Sequence, residues 1–175
     1  SEMQKTNYGA GVGLPYKIKN VDAIYVYNEA QLKIIRDNII NSNKELSVNY
    51  FKVRLLLHDI GAPQKKKIMF IGHLFCYELQ LFIYLQLFDK FDFELYYKPH
   101  PTIEISDSIK NAGWLVIKEK DFFPKVNFLI SYPSTLVIEY KEFGINSFIH
   151  TLNEEKDKFP LVAEDVINSL GLNVK

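Results

Sequence analysis

Cysteine is almost missing from this chain. Its 175 residues include one, Cys76. A lone thiol closes no internal disulfide, and no Cys or His spacing suits structural zinc. Such a chain fits a reducing cytoplasm. A dominant charge sign is missing too, because 21 Lys and Arg balance 21 Asp and Glu. No general field therefore draws in nucleic acid or an anionic membrane. Long hydrophobic runs are also lacking. The longest, Leu74 to Phe88, is broken by Glu78, Gln80 and Gln86, and is too short and too polar to span a bilayer. No leader pattern opens the chain. The expected location is the cytoplasm, at most peripheral to the inner membrane.

What is present is the balance of a soluble globular domain: 47% hydrophobic and 24% charged residues. The length suffices for one core rather than two. Aromatics at 14%, with abundant Ile, Asn and Lys, read as the codon usage of an AT-rich genome and not as a binding signature.

Short apolar runs alternate with helical patterns. "AIYVYN" from Ala23 is β-branched and aromatic and predicts a strand; "EAQLKIIRDNII" puts Leu32, Ile35 and Ile39 on one helix face. "KIMFIG" from Lys67 predicts a buried strand, and "CYELQLFIYLQLF" from Cys76 a helix. "FELYY" from Phe93, "WLVIKE" from Trp114, "NFLIS" from Asn127 and "NSFIH" from Asn146 predict further strands. "SDSIKNAG" predicts a short helix capped by Ser106 and stopped by Gly113. "STLVIEYKEFG" predicts a helix ended by Gly144, and "VAEDVINSLGL" an amphipathic last helix. "VNYFKVRLLLH", Val48 to His58, fits a strand or a short helix. Strand then helix, with continuously apolar strands, predicts an α/β fold: a Rossmann-like parallel sheet with helices on both faces. The pattern predicts a linker or appended segment over 1–20 and a single nucleotide-binding domain over 21–175. The glycine-rich "YGAGVGLP" near the start follows no strand, so it lacks the context of a dinucleotide fingerprint and reads as linker.

In a doubly wound sheet, ligands lie outside the carboxyl ends of the strands. Those ends carry Gly72-His73, Lys98-Pro99-His100-Pro101, Ser131-Tyr132-Pro133-Ser134-Thr135 and His150. In "KPHP", each proline pushes its predecessor out of the α region, so Lys98 and His100 are held extended. His100 then offers a donor and an acceptor to a base, ribose or phosphate, and Lys98 a point charge. The plain alternative is a strand-ending turn whose polar residues face water. In "SYPST", Ser134 or Thr135 stands at a helix start, where unpaired N–H groups and two hydroxyls suit an anion. The alternative there is an ordinary N-cap. Glu139 lies one turn on, on the face of Thr135, placed to accept from ribose hydroxyls or to face solvent. Gly72 with His73 would let backbone approach a ligand, or is simply a loop glycine beside an exposed histidine.

Together, "KPHP" and "FLISYPSTLVIEYKEFGINSFI" resemble the C-terminal, donor-binding domain of GT-B glycosyltransferases, one half of that fold. The likeness is nearest to bacterial sialyltransferases and capsule or lipooligosaccharide transferases that use CMP-activated sugars. It spans roughly residues 20 to 165, with "VDAIYVYNEAQLKIIRD" resembling the entry into the second domain. The resemblance implies that His100 and Pro101 contact the cytidine nucleotide and that Ser134 and Thr135 hold its phosphate. Glu139 matches a glutamate common in such enzymes, whereas Tyr140 stands in place of an alanine and Asn146 in place of a proline. The implied partners are a nucleotide-sugar donor, a saccharide or lipid-linked saccharide acceptor, and a missing N-terminal GT-B domain or partner chain. The nucleotide-sugar is a substrate, and neither cofactor nor metal is implied. No catalytic base is evident. By the resemblance it belongs to the other half, and the isolated domain is expected to be inactive. Two alternatives stay open: a GT-B-like domain using a UDP-sugar or CDP-polyol, including a UDP-sugar epimerase, and a non-catalytic flavodoxin-like binding module.

Overall fold

The computed structural model describes residues 16–41, 45–51, 55–105 and 107–171. The "YGAGVGLP" stretch and the predicted cap Ser106 lie outside them. The chain divides into two compact units, 1–54 and 55–175, where the sequence pattern had suggested one domain over 21–175. The division follows from strand pairing. Ala23–Val26 (β1), helix Glu29–Asn38 (α1) and Ser47–Tyr50 (β2) form a βαβ unit whose two parallel strands, among the described residues, pair with each other and not with the larger sheet. Asn28 caps α1 by accepting from the Gln31 N–H, while the Gln31 side chain accepts from the Tyr27 N–H. Val26, Leu32 and Ile40 are its buried apolar residues. Ile18, inside the predicted linker, bridges to Ile40 and so belongs to this unit.

The second unit holds Leu57–His58 (β3), Lys66–Ile71 (β4), Tyr77–Phe88 (α2), Phe93–Lys98 (β5), Asp107–Asn111 (α3), Leu115–Val116 (β6), Phe123–Pro124 (β7), Phe128–Ser131 (β8), Thr135–Lys141 (α4), Asn146–Ile149 (β9) and Phe159–Ser169 (α5). The ambiguous segment forms strand at its two ends, in β2 and β3, with described residues 51, 55 and 56 outside any element. The pattern overran on β6, which keeps two residues of the predicted six. It started α5 too late. That helix begins at Phe159, with Pro160 in the first turn, where its missing N–H costs nothing.

Five strands make an all-parallel sheet in the order β6-β5-β4-β8-β9. With interleaved helices, this is a Rossmann-like α/β fold. Strand β4 is central, and Ile68, Met69 and Phe70 are fully buried because both sheet faces are covered. Side chains alternate across it. Ile68 and Phe70 join Leu95, Tyr97 and Ile130 against α2, α3 and α5, through Leu79, Ile83, Ile109, Val166 and Ile167. Met69 and Ile71 join Tyr96 and Leu129 against α4 and the β3–β7 pair, through Val137, Tyr140, Leu57 and Phe123. Gly113 (φ 93°) and Gly144 (φ 73°) stop their helices in the left-handed region, as the pattern predicts. Among the described residues no helix is long and apolar enough to cross a membrane.

Gly72, directly after β4, packs against Tyr97 of β5. A Cβ there would stand 2.0 Å from the Tyr97 hydroxyl oxygen and 2.1 Å from Cζ of the ring. The close approach that Gly72 permits is thus to a core tyrosine, not to a ligand. Replacing Gly72 by Ala is expected to destabilise the chain by about 1–3 kcal/mol through overpacking. Urea denaturation checks this, and the double variant with Tyr97→Ala should recover part of the loss.

Candidate functional site

Because all five strands are parallel, their carboxyl ends share one rim. Along the chain, the sheet grows from β4 outward through β5 to β6, then restarts at β8 on the other side of β4 and ends at β9. The strand order reverses between β4 and β8, and that is where an open α/β sheet leaves its crevice.

His73 follows β4 and caps the 3-10 turn Leu74–Cys76, its Nδ1 accepting from the Phe75 N–H at 3.3 Å. Its ring lies edge-on to Tyr132, which follows β8, at 5.1 Å between centroids. It also lies edge-on to His100, beyond β5, at 5.6 Å. Three neighbouring strand ends therefore meet through aromatic rings. Burial, with a smaller effect of His100, holds the His73 pKa below its usual value. Burial also raises the Tyr132 hydroxyl, against a hydrogen bond with Ser134 that lowers it; Tyr132 remains a neutral phenol near pH 7.

His100 is the hinge of the site. Its Nδ1 lies 2.9 Å from Thr102 Oγ1 and 3.4 Å from the Thr102 amide. It borders a cleft of about 580 Å³, lined also by Pro101, Lys120, Asp121, Ser134, Thr135 and Glu139. It also borders a groove of about 490 Å³ that runs between Pro99–Glu104 and Ile117–Lys120. Gly72 and His73 border a third, very small hollow that also touches His100. The residues singled out in "KPHP" and "SYPST" thus line one cleft, with Glu139 beside them. Gly72 and His73 adjoin it across His100.

Ser134 is the N-cap of α4, its oxygen accepting from the Leu136 N–H at 3.3 Å. The Thr135 hydroxyl has no hydrogen-bond partner among the described residues. Helix α4 has only seven residues. Its dipole is correspondingly modest, and the polar groups at its start are hydroxyls and backbone N–H donors.

Lys98 does not serve as the point charge that the sequence suggested. It is 6% exposed, and its ammonium donates to the carbonyls of Glu119 (3.2 Å), Lys120 (2.9 Å) and Phe122 (2.9 Å). It also sits 4.6 Å from the centre of the Phe123 ring. Three donors meet three acceptors, so none is left for a phosphate. Burial lowers its pKa, against the fields of Asp121 and Glu119. Its role is to fix the loop that forms the far wall of the cleft.

His150, at the fourth strand end, is also internal. Its Nδ1 donates to the Thr151 carbonyl at 2.7 Å, which leaves Nε2 to accept from Gln80 Nε2 at 3.1 Å. Gln80 donates as well to the Ile71 carbonyl at 2.9 Å, tying the ends of β4 and β9 together.

Tyr132 and Thr102 are the site residues that sequence reasoning missed. Tyr132 lay inside a quoted motif, and its only signal was its place after an apolar strand. Thr102 carried none, since its hydroxyl matters only through the fold of the loop around His100. Among the described residues no three His, Cys, Asp or Glu side chains cluster as a metal would require.

Lys98→Met should cost at least about 2 kcal/mol, because it strips donors from three carbonyls beneath the cleft wall. Urea unfolding measures it; a loss within a few tenths would show that the ammonium is dispensable to the fold. A second outcome concerns acid. Burial places the His150 pKa below its ordinary value, so the folded chain resists a proton that the unfolded chain accepts. Stability is then unaffected above about pH 6.5 and falls as pH drops below it. His73 contributes in the same direction. In His150→Gln, the loss of urea midpoint between pH 7.5 and pH 5.5 should be smaller than in the parent chain.

No protein-family model, curated protein or solved structure matches this chain.

Proposed function

We propose that residues 55–171 form the nucleotide-binding half of a GT-B glycosyltransferase that uses an activated sugar, with CMP as the leaving nucleotide. One observation carries the reading: His100 with Pro101 and Ser134 with Thr135, from different strand ends, line a single cleft of nucleotide-phosphate size beside the point where the strand order reverses. The resemblance of "KPHP" and "SYPST" to sialyltransferase-like enzymes supplies the substrate class.

In this reading the domain binds donor and stabilises its departure. The phosphate lies between the imidazole of His100 and the hydroxyl and N–H donors at Thr135. These groups are held in place before the sugar leaves, so they stabilise the charge that develops on the phosphate at little reorganisation cost. His100 is oriented by Thr102, and the cleft wall is held by Lys98. Glu139 is placed for the ribose. The acceptor, a saccharide or lipid-linked saccharide, and the base that deprotonates it belong to the other half of the enzyme.

The test is binding. CMP should raise the melting temperature more than UMP does, as a ligand specific to the native state must. His100→Ala should weaken CMP by about 1–3 kcal/mol in calorimetry. Thr135→Val, which leaves the Ser134 cap intact, should weaken CMP more than cytidine, because the lost contact is at phosphate. No shift with any nucleotide at millimolar concentration would end the proposal. A larger shift with UMP would keep the fold of the site and replace the base.

A further inference from the structure

The cleft and the groove that border His100 have all of "KPHP" in common, and one residue from outside it, Lys120. His100 and Lys120 therefore stand where the two cavities adjoin. Among the described residues, the lysines that line the cleft are Lys98 and Lys120. They differ in what their ammonium groups do. That of Lys98 is consumed by three carbonyls. That of Lys120 makes no hydrogen bond or ion pair among the described residues.

One of the carbonyls that Lys98 gathers belongs to Lys120 itself, at 2.9 Å; the others belong to Glu119 and Phe122. A backbone wrapped round one ammonium is fixed along its length. The Lys120 carbonyl is turned inward and the residue is exposed, so what it offers to the two cavities is its side chain. Lysine is a point charge with three donors on a flexible stem, and an anchored backbone limits where that charge can reach. The buried lysine thus holds the free one beside the cleft.

The other charges leave this arrangement standing. Asp121 lines the cleft next to Lys120, but its field, with that of Glu119, falls on the Lys98 ammonium and favours its charged form. Glu139, also on the cleft, is the group read above as facing the ribose. In the groove, Lys110 is paired with Asp107, and Lys118 lines the groove without reaching the cleft. A phosphate in the cleft meets hydroxyls and the N–H groups of a seven-residue helix, donors that satisfy its oxygens but bring little charge. Taking an anion out of water is costly unless a cation pairs with it.

We propose that Lys120 is the cation of the site: its ammonium contacts the phosphate that lies between His100 and Thr135, at the junction of the two cavities. A phosphate held there has room for a substituent on either side, which suits a diester such as a nucleotide-sugar. The proposal rests on the nucleotide-binding reading above and names the residue that tells a nucleotide from a nucleoside.

The experiment is calorimetry of the full chain with CMP, and NMR titration with cytidine. Lys120→Met keeps the stem and removes the charge. It should weaken CMP by about 10- to 100-fold, the worth of a hydrogen bond to a charged group, and leave cytidine unchanged. Lys120→Arg should keep most of the CMP affinity, and Lys118→Met all of it. Added salt should weaken CMP less in Lys120→Met than in the parent, because a screened ion pair has been removed. Without ligand, Lys120→Met should melt with the parent, since its ammonium holds nothing in the fold. CMP affinity unchanged in Lys120→Met, or cytidine weakened as much as CMP, overturns the proposal. If no nucleotide binds the parent chain, the nucleotide reading falls, and inorganic pyrophosphate decides Lys120 by itself. A melting shift in the parent that Lys120→Met abolishes keeps the residue as an anion contact; no shift overturns that as well.

Discussion

Strand β4 is hydrogen-bonded on both edges, to β5 and β8, and buried on both faces. In a parallel sheet that double burial requires helices or loops over each face, and it sends every crossover back to the same end. The carboxyl ends of β5, β4 and β8 therefore lie side by side. The residues after them are far apart in the chain yet meet within one or two side-chain lengths. Everything at the rim follows from that pairing.

The rim itself is a mixture of supports and exposed donors. Gly72 and Lys98 look functional because they stand at strand ends, yet both serve the scaffold. One makes room for Tyr97; the other gathers three carbonyls that would otherwise line a cleft without donors. Burying an ammonium is costly unless its hydrogen bonds are replaced, and here they are replaced in full. That arrangement consumes the ammonium, and the polar groups left around the rim are the imidazoles of His73 and His100, the Tyr132 phenol, and the hydroxyls of Ser134 and Thr135.

A second polar thread runs beneath the rim. Gln80, fully buried on α2, spans from the Ile71 carbonyl to His150, and His150 closes onto Thr151. It joins the last turn of β4 to that of β9 across β8. The Gln80 Oε1 atom has no partner in this thread. An unpaired acceptor in a low-dielectric core weakens the joint relative to a fully satisfied one.

Much of the fold was legible from local pattern. The unbroken apolar runs of β4 and β8, the glycines after α3 and α4, and the 3.6-residue spacing in α1 each reflect forces acting within a few residues. The candidate motifs at the strand ends were legible for the same reason, since prolines and hydroxyl residues mark where an element stops or starts. Strand order, the separate pairing of β1 with β2, and the shortness of β6 were not, because they depend on partners elsewhere in the chain. The roles of Lys98, whose acceptors lie 21–24 residues away, and of Gly72, whose constraint is Tyr97, were hidden in the same way. By itself the sequence determined the kind of element at most positions and the chemistry at the strand ends, since backbone propensity and side-chain period are local. Only the tertiary structure decided which of those end groups face an open cleft and which are consumed inside the protein, because a donor's availability depends on the carbonyls, rings and hydroxyls that distant segments bring within hydrogen-bonding distance.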